Sequence, residues 1–363
     1  MSPGMDTPAS LGKRKHDDSV ISARKLPRRD DSQTRHHVIA FYPSILDKIN
    51  KLSYGVQYTL AHLISTGQLD YASLNTTMLQ NMQGPNTQAN GEALAKLIKG
   101  HTSASPSMME QMFVQELAAN SPWEELDKEE EALAKDFYAG LGSHPDYPGW
   151  YGGRVAFRGR ITKNECDGYK IHLERGSLGS SCRFTRRFGS KCFIRIKIPP
   201  SIFYSQHNQL ITFFKQRFVL WGHVFQACYA KDDNVFLLKV NEMMLVNGSI
   251  EKTGGFSLED FVEWFNPLES NKKQPLSKWA ARFSLGFSNS VPGPQISPEN
   301  ILHEDDICDL DKIPMAIQFR LGGCKGMLVL RETGSDSSSK DGFKVWIRPS
   351  QTKIKGQLAD PGH

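Results

Sequence analysis

Apolar residues recur at two periods along this chain, and the change of period divides it. From residue 38 to about residue 144 the spacing is helical. Ile45, Ile49 and Leu52, then Tyr58, Leu60, Leu63 and Ile64, fit amphipathic helices broken by Gly55 and Gly67. Residues 75–90 are polar and read as a loop. Ser121 is placed to cap, and Pro122 to open, a helix carrying Glu124, Glu125, Asp127, Glu129, Glu130 and Glu131, a charge run expected to face water. From Pro145 the pattern becomes alternation. Val155, Phe157 and Ile161 set a buried face, with Arg154, Arg158 and Arg160 opposite. Tyr169, Ile171 and Leu173 repeat it. Ile194, Ile196 and Ile198 alternate with Arg195 and Lys197, and residues 218–230 and 235–240 predict a hairpin.

Helical spacing returns after Ser257, which with Asp260 makes a loose capping box for the stripe Leu258, Phe261, Val262 and Phe265. A second helix is expected from Pro275, burying Trp279, Ala280 and Phe283, with Lys278 and Arg282 on its other face. The last stretch alternates again: Ile317, Phe319 and Leu321 against Gln318 and Arg320. Gly322-Gly323-Cys324-Lys325-Gly326 then permits a sharp turn with a lysine at its apex. Residues 327–330 are apolar on both faces and predict a buried strand. Phe343, Val345 and Ile347 form another inward face that ends at Arg348-Pro349, with Lys353 just beyond. The expected parts are therefore a disordered basic tail (1–37), a helical region (38–144), a basic β-rich domain (145–250), a helical linker (251–290) and a C-terminal β region (291–363).

Charge sharpens this picture. Residues 151–200 hold twelve Lys and Arg against three Asp and Glu, a local +9 in a chain whose net charge is +5. Such a surface suits an anionic partner. Arg183, Arg186, Arg187 and Lys191 interleave there with Phe184 and Phe188, read as cations at strand spacing that meet a nucleic-acid backbone beside an aromatic that stacks on a base. The competing reading makes Phe184 and Phe188 core. The six cysteines show no Cys-x-x-Cys spacing, so neither a zinc ribbon nor a disulfide framework is indicated. No apolar run reaches membrane length and no signal-peptide core opens the chain, so no membrane partner is expected. Lys13-Arg14-Lys15 with Arg24-Lys25 and Arg28-Arg29 resembles a split nuclear-import signal, which leaves a nuclear or cytoplasmic location.

The chemistry concentrates at the C-terminal end. Two loops present Lys325 and Lys353, with Arg348 beside the second. Lysine as point charge and arginine as fork suit phosphate oxygens. The glycine turn lacks the Walker spacing, which disfavours a P-loop hydrolase, and a hairpin with a solvated lysine is its bland alternative. Asp305, Asp306, Asp309 and Asp311 lack the glycine-punctuated spacing of a calcium loop and read as a solvated linker.

Five ordered segments change the weighting: Arg183-Phe184-Thr185-Arg186-Arg187-Phe188-Gly189-Ser190, Gln274-Pro275-Leu276-Ser277-Lys278-Trp279-Ala280-Ala281-Arg282-Phe283, Ser288-Asn289-Ser290, Arg320-Leu321-Gly322-Gly323-Cys324-Lys325-Gly326 and Arg348-Pro349-Ser350-Gln351. Together they resemble the eukaryotic, fungal-type cell-encoded RNA-dependent RNA polymerases of RNA silencing, from about Gly153 to Lys355. The resemblance implies an α+β chain whose β region is part of a double-psi β-barrel. It implies Lys325, Lys353 and Arg348 as catalytic cations, and RNA contacts from Arg154, Arg158, Arg160, Arg183, Arg186, Arg187, Lys191, Arg195, Lys197, Lys278 and Arg282. It further implies an RNA template, nucleoside triphosphates, RNA-silencing proteins as partners, and Mg2+ on an Asp-x-Asp-Gly-Asp loop. No Asp-x-Asp-Gly-Asp occurs in the sequence, and only residues 308–315 stand where the family has a longer block with a Thr-Asp-Gly-Cys-Gly motif. The first barrel is thus expected to be incomplete and the second absent, as in a truncated form. Two functions follow: an RNA-directed RNA polymerase, with this chain inactive alone, or a non-catalytic RNA-binding or partner-binding fragment of that family.

Overall fold

The computed structural model describes residues 36–39, 47–101, 121–163, 168–241, 243–246, 249–252, 254–293, 301–303, 316–321, 324–329 and 345–355. The chain divides into residues 1–34 and 35–363, and every described residue belongs to the second unit. The basic tail, Ile45, Phe343 and the aspartates from 305 to 311 lie outside the described residues.

The first half runs β1 (His36–Ile39), α1 (Tyr54–Ser65), α2 (Thr76–Asn81), α3 (Glu92–His101) and α4 (Trp123–Lys135). Then come β2 (Val155–Ala156), β3 (Arg158–Lys163), β4 (Tyr169–Leu173), β5 (Ser177–Leu178), α5 (Arg183–Phe188) and β6 (Phe193–Lys197). Next are α6 (Pro200–Phe203), α7 (His207–Phe214), β7 (Arg217–Leu220), β8 (His223–Lys231), β9 (Asn234–Lys239), β10 (Met243–Val246) and β11 (Ser249–Lys252). The last part holds α8 (Leu258–Phe265), α9 (Leu268–Asn271), α10 (Leu276–Ala281), α11 (Phe283–Phe287), β12 (Ile301–His303), β13 (Ala316–Leu321), β14 (Cys324–Val329) and β15 (Val345–Ile347). The fold is mixed α+β. Its main sheet has seven strands in the order β1-β7-β8-β9-β6-β3-β4, with β1–β7 and β3–β6 parallel and the other pairs antiparallel.

One face of this sheet is closed by α1. Val56, Tyr58, Leu60 and Leu63 share a single buried cluster with Phe157, Ile161, Ile171, Ile194 and Ile196. Helical region and sheet share one core across residue 144, because α1 is buried nearly all round and needs the sheet to cover it. Its polar residues are used inside. The Tyr58 hydroxyl lies 2.9 Å from Arg158 O and 2.7 Å from Glu174 O, and His62 Nδ1 lies 2.7 Å from Leu173 O. Gly55 is not a break but an early residue of α1, where a Cβ would stand 2.7 Å from the Trp123 ring. The polar stretch 75–90 also contains a helix, α2, because the Asn75 side chain caps it by accepting from Met78 N at 3.0 Å.

The acidic helix α4 departs furthest from expectation. Trp123, Leu126, Glu129 and Ala132 fall every third residue and are all buried, so Glu129 sits in the middle of an inward stripe with 1% exposure. Its carboxylate accepts from Gly153 N (2.6 Å), Ser190 N (2.5 Å) and Ser190 Oγ (2.9 Å). The neighbouring acids are engaged as well. Glu130 takes the Lys191 ammonium at 2.6 Å, Asp127 and Glu130 bind Asn86, and Glu125 accepts from Trp150 Nε1 at 2.9 Å.

Burial pushes the Glu129 pKa up to about 7, with the three donors pulling it down. A carboxyl raised in the fold favours folding most when protonated. Its contribution is complete below pH 4.5, declines as pH rises through 7 and is flat above that. The span corresponds to about 3 kcal/mol. Glu129→Gln is therefore expected to lower the melting temperature near pH 5, where its amide N–H2 faces donors, and to close the gap by several degrees by pH 8. Parallel melting curves for the two proteins across that range would contradict this.

Candidate functional site

The stretches that carry the two C-terminal lysines are joined by one bridge. β13 and β14 pair antiparallel with Leu321 opposite Cys324, and β12 and β15 pair parallel. An isolated antiparallel bridge then joins Cys324 to Thr352, with Sγ and Oγ1 3.6 Å apart. Lys325 and Lys353 each follow a member of that bridged pair, so in this antiparallel register they stand diagonally across the bridge, two positions apart along the strands. Gly326 makes the approach possible, since a Cβ there would lie 2.7 Å from Gln351 Nε2. Gln351 closes the turn before Lys353: its Oε1 accepts from Arg348 N and its own N–H donates to Arg348 O, both at 2.9 Å. Its Nε2 also reaches Met327 O at 3.4 Å. Burial pushes the Cys324 thiol up, opposed by its bond to Thr352 and by the nearby Lys353 charge. Lys325, Arg348 and Lys353 are each partly exposed, and among the described residues none forms an ion pair. The Lys353 ammonium instead rests on Ser350 O. Met327, expected in a buried strand, is 50% exposed, because β14 has a single partner strand among the described residues.

Two residues with no chemical role of their own hold this segment. Asn271, fully buried, donates from Nδ2 to Pro267 O (2.9 Å) and Lys355 O (3.1 Å), while its Oδ1 accepts from Lys355 N (3.1 Å) and Gln274 Nε2 (2.9 Å). Gln274 Nε2 also donates to Lys353 O at 3.1 Å. Between them Ile354 is buried with Phe261, Phe265 and Phe283. Asn271 escaped the sequence reading because a lone Asn after Pro267 looks like any helix-terminal residue, and its partner lies 84 positions away. α10 buries none of its own residues. Ala280 is exposed, contrary to expectation, because the segment breaks at Arg282 into two short helices and the next one, α11, carries the buried Phe283. Lys278 is exposed and Arg282 partly buried.

The arginines of α5 are not a strand face. Cys182 and Thr185 cap a helix, and Gly189 ends it at φ +90°. Phe184 is wholly buried, with its ring centroid 4.7, 4.5 and 4.7 Å from those of Phe261, Phe265 and Phe287. Arg186, 7% exposed, donates to Ser181 Oγ (3.0 Å), Ser290 O (2.6 Å) and Ser290 Oγ (3.0 Å). Arg187, 4% exposed, lies over the rings of Phe137 (3.6 Å) and Tyr138 (4.1 Å), and Arg183 over Trp264 and Phe265. Arg186 and Arg187 thus join separate parts of the chain instead of facing outward. Lys191 pairs with Glu130, and Arg154 lies over the Tyr151 ring.

The other predicted cations do share a surface. In the main sheet Arg158 is opposite Arg195, Arg160 is opposite Lys197 on one side and His172 on the other, and Lys197 is opposite Asn234, which is opposite Lys231. All lie on the face away from α1. The alternation around Ile171 already implied that Lys170 and His172 belong there. Burial first, then Lys170 and Arg160, hold His172 below its usual value. Burial first, then Arg158, lowers Arg195, with Glu174 and Asp233 opposing.

Among the described residues no group of three or more His, Cys, Asp or Glu is gathered that could hold a metal ion. Among those residues, then, the Mg2+ that the resemblance implies has no gathered ligand set. The RNA dependent RNA polymerase family profile matches residues 168–312 and 295–360, together more than half of the chain. The chain belongs to this polymerase family. Its matched part takes in α5, the clamp at Asn271 and both bridged lysines. Among solved structures, it is similar to the RNA dependent RNA polymerase QDE-1 from Thielavia terrestris, with 24% identity and a TM-score of 0.49. That similarity covers 64% of this chain and 29% of that one, so the chain spans less than a third of the polymerase it resembles. No curated protein sequence matches it.

Removing the clamp tests how the lysine segment is held. Asn271→Ala deletes both bonds to Lys355, a local loss of about 1–3 kcal/mol. The Lys355 amide is expected to exchange with solvent roughly tenfold faster or more, with the exchange of α1 unchanged. Unaltered exchange at Lys355 would show that Ile354 alone anchors the strand.

Proposed function

We propose that this chain supplies the phosphate-binding cations of an RNA-directed RNA polymerase that copies RNA into double-stranded RNA. The Cys324–Thr352 bridge, which joins the two stretches that carry Lys325 and Lys353 within a segment matched to the polymerase family, carries the reading. In nucleotidyl transfer a ribose 3′-oxygen bonds to the α-phosphorus of a nucleoside triphosphate. The bond from that phosphorus to the leaving pyrophosphate breaks, and the hydroxyl proton passes to solvent or a base. Lys325 and Lys353 would lie along the triphosphate, and Arg348 would fork onto a neighbouring oxygen. Their positions are set before the nucleotide arrives, by the bridge, Gln351 and Asn271, so little reorganisation is needed as negative charge moves to the leaving group. The template, nucleoside triphosphates and RNA-silencing proteins are the partners this reading implies. The parallel β12–β15 pair beside the β13–β14 hairpin supports assigning this region to a partial double-psi barrel.

The lack of a metal-holding group among the described residues favours a second reading, in which this polypeptide binds nucleotide or RNA without performing transfer. One set of measurements addresses both. Calorimetric titration of the chain with a nucleoside triphosphate should show binding that Lys325→Ala and Lys353→Ala each weaken by about 1.5–3 kcal/mol, roughly ten- to a hundredfold. A templated incorporation assay on the same chain should give no product. Unchanged nucleotide affinity in both variants would remove these lysines from the site.

A further inference from the structure

β8 outruns its neighbour β7. The two pair only as far as Phe225, whereas β9 follows β8 to Lys231. Between the overhanging part of β8 and α7 lies a cavity of about 340 Å3, at the lower end of the roughly 300–1,000 Å3 typical of small-molecule sites. The sequence creates this space. On α7, His207, Leu210, Ile211 and Phe214 fall at i, i+3, i+4 and i+7, so they share one helix face, and all four line the cavity. On β8 the lining includes Ala227 and Ala230, which stand opposite Leu237 and Val235 of β9. Two methyl groups set against the larger side chains of α7 leave room that larger residues would fill. A bulge between Ala227 and Tyr229 also brings Cys228 and Tyr229 into the wall.

The wall is apolar, with a carboxylate at one end. Cys228 is no nucleophile here: its thiol donates to Phe236 O at 3.3 Å, and burial pushes its pKa up, so it stays protonated. Phe203, Phe214 and Tyr229 contribute aromatic rings, and Tyr229 is fixed by stacking on Phe287 at 5.6 Å and 10°. The carboxylate is Asp232, exposed in the β8–β9 turn at φ +54°. It makes no ion pair or side-chain hydrogen bond among the described residues, and Tyr229 feels its charge. Its neighbour Asp233 accepts from Asn234 Nδ2 at 2.6 Å and adds negative charge. Lys231 pairs with Asn234 one position beyond Ala230, so it belongs to the opposite face of the strand. No Lys or Arg is among the described residues that line the cavity.

We propose that this cavity binds a small organic ammonium ion with an apolar body, its hydrocarbon seated between α7 and the two alanines and its charge at Asp232. Three ligand charges were open, and the lining separates them. An anion would give up hydration beside two carboxylates with no cation to replace the lost water. A neutral ligand would gain burial of its apolar surface and nothing from Asp232. An ammonium gains from both, because aromatic rings attract cations over their faces and the exposed carboxylate pairs with a charge that stays partly hydrated. The inference goes beyond the polymerase reading and does not rest on it, since no residue from 324 to 355 lines the cavity.

The test uses three probes of one shape on the full chain: phenethylammonium, phenethyl alcohol and phenylacetate. Each is titrated while the methyl resonances of Leu210, Ile211 and Ala230 are followed by NMR. Phenethylammonium should shift them with a Kd on the order of a millimolar, the alcohol should bind at least threefold more weakly, and phenylacetate more weakly still. Asp232→Asn keeps a residue that tolerates the left-handed turn and should remove the preference for the ammonium over the alcohol. Ala230→Leu, at an exposed position, should fill the cavity and weaken phenethylammonium roughly tenfold or more, with the melting temperature showing that the fold is kept. No shift of these methyl groups at tenfold that concentration would overturn the proposal. So would equal affinity for ammonium and alcohol in the parent chain, or unchanged ammonium affinity in folded Ala230→Leu.

Discussion

The carboxylate of Glu129 joins parts of the chain that lie far apart in sequence. Gly153 begins the run into the basic strands, and Ser190 stands between α5 and β6. Each offers a backbone N–H with no ladder partner, and a buried orphan N–H costs about as much as a lost hydrogen bond. One acid side chain on α4 satisfies both, together with the Ser190 hydroxyl, which also receives Val155 N at 3.2 Å. Gly153 can approach that closely only as glycine: at φ +77° a Cβ would lie 2.6 Å from Arg186 N. So the register of β2, the start of α5 and the placement of α4 are coupled at one point. The raised pKa follows from the burial of this junction.

A second constraint passes outward from there. α5 is only six residues long and cannot be stable alone, so it depends on what its side chains grip. Phe184 enters the cluster that also holds Ile354, beside Gly286, where a Cβ would fall 2.1 Å from the ring. Arg186 reaches Ser290 and Arg187 the rings near residue 137. One short helix thereby links the segment after α4, the segment after α11 and the cluster that holds Ile354. A buried guanidinium held by hydroxyls and a carbonyl is a structural part, whose removal would leave unpaired acceptors rather than a weaker charge patch.

Legibility from sequence followed the range of the interactions. β3, β4, β6 and the hairpin β13–β14 were visible because alternation is local, and so Arg158 with Arg160, and Arg195 with Lys197, could each be given one side of its strand; that the two strands are neighbours could not be read locally. Arg183, Arg186 and Arg187 were misplaced because RFTRRF alternates as acceptably as it coils. The deciding features were the Cys182–Thr185 cap and the distant rings of Phe261 and Phe265. The acidic run of α4 misled for a related reason. Its period of three marks Glu129 as inward, but an acid in an apolar stripe is normally discounted unless its donors, 24 and 61 residues away, are known. Lys325 and Lys353 were named from their loops, yet nothing local indicated Asn271.

The structure sorts the positive charge of this chain into three physical kinds. Arg186 and Arg187 are interior and rigid, and their charge is balanced by hydroxyls, a carbonyl and aromatic faces. Lys325, Arg348 and Lys353 are few, partly exposed and fixed through their backbones, which suits a ligand whose charge must be met at a defined point. The sheet cations are many and regularly spaced, and β strands fix their Cα positions while leaving the ends of the side chains free. That suits a polymer that slides, since no single contact determines its position. Net charge alone distinguishes none of these. Burial, backbone anchoring and periodicity do, and they divide the cations of this polymerase-family chain into buried struts, a backbone-anchored set and a regular row on one sheet face.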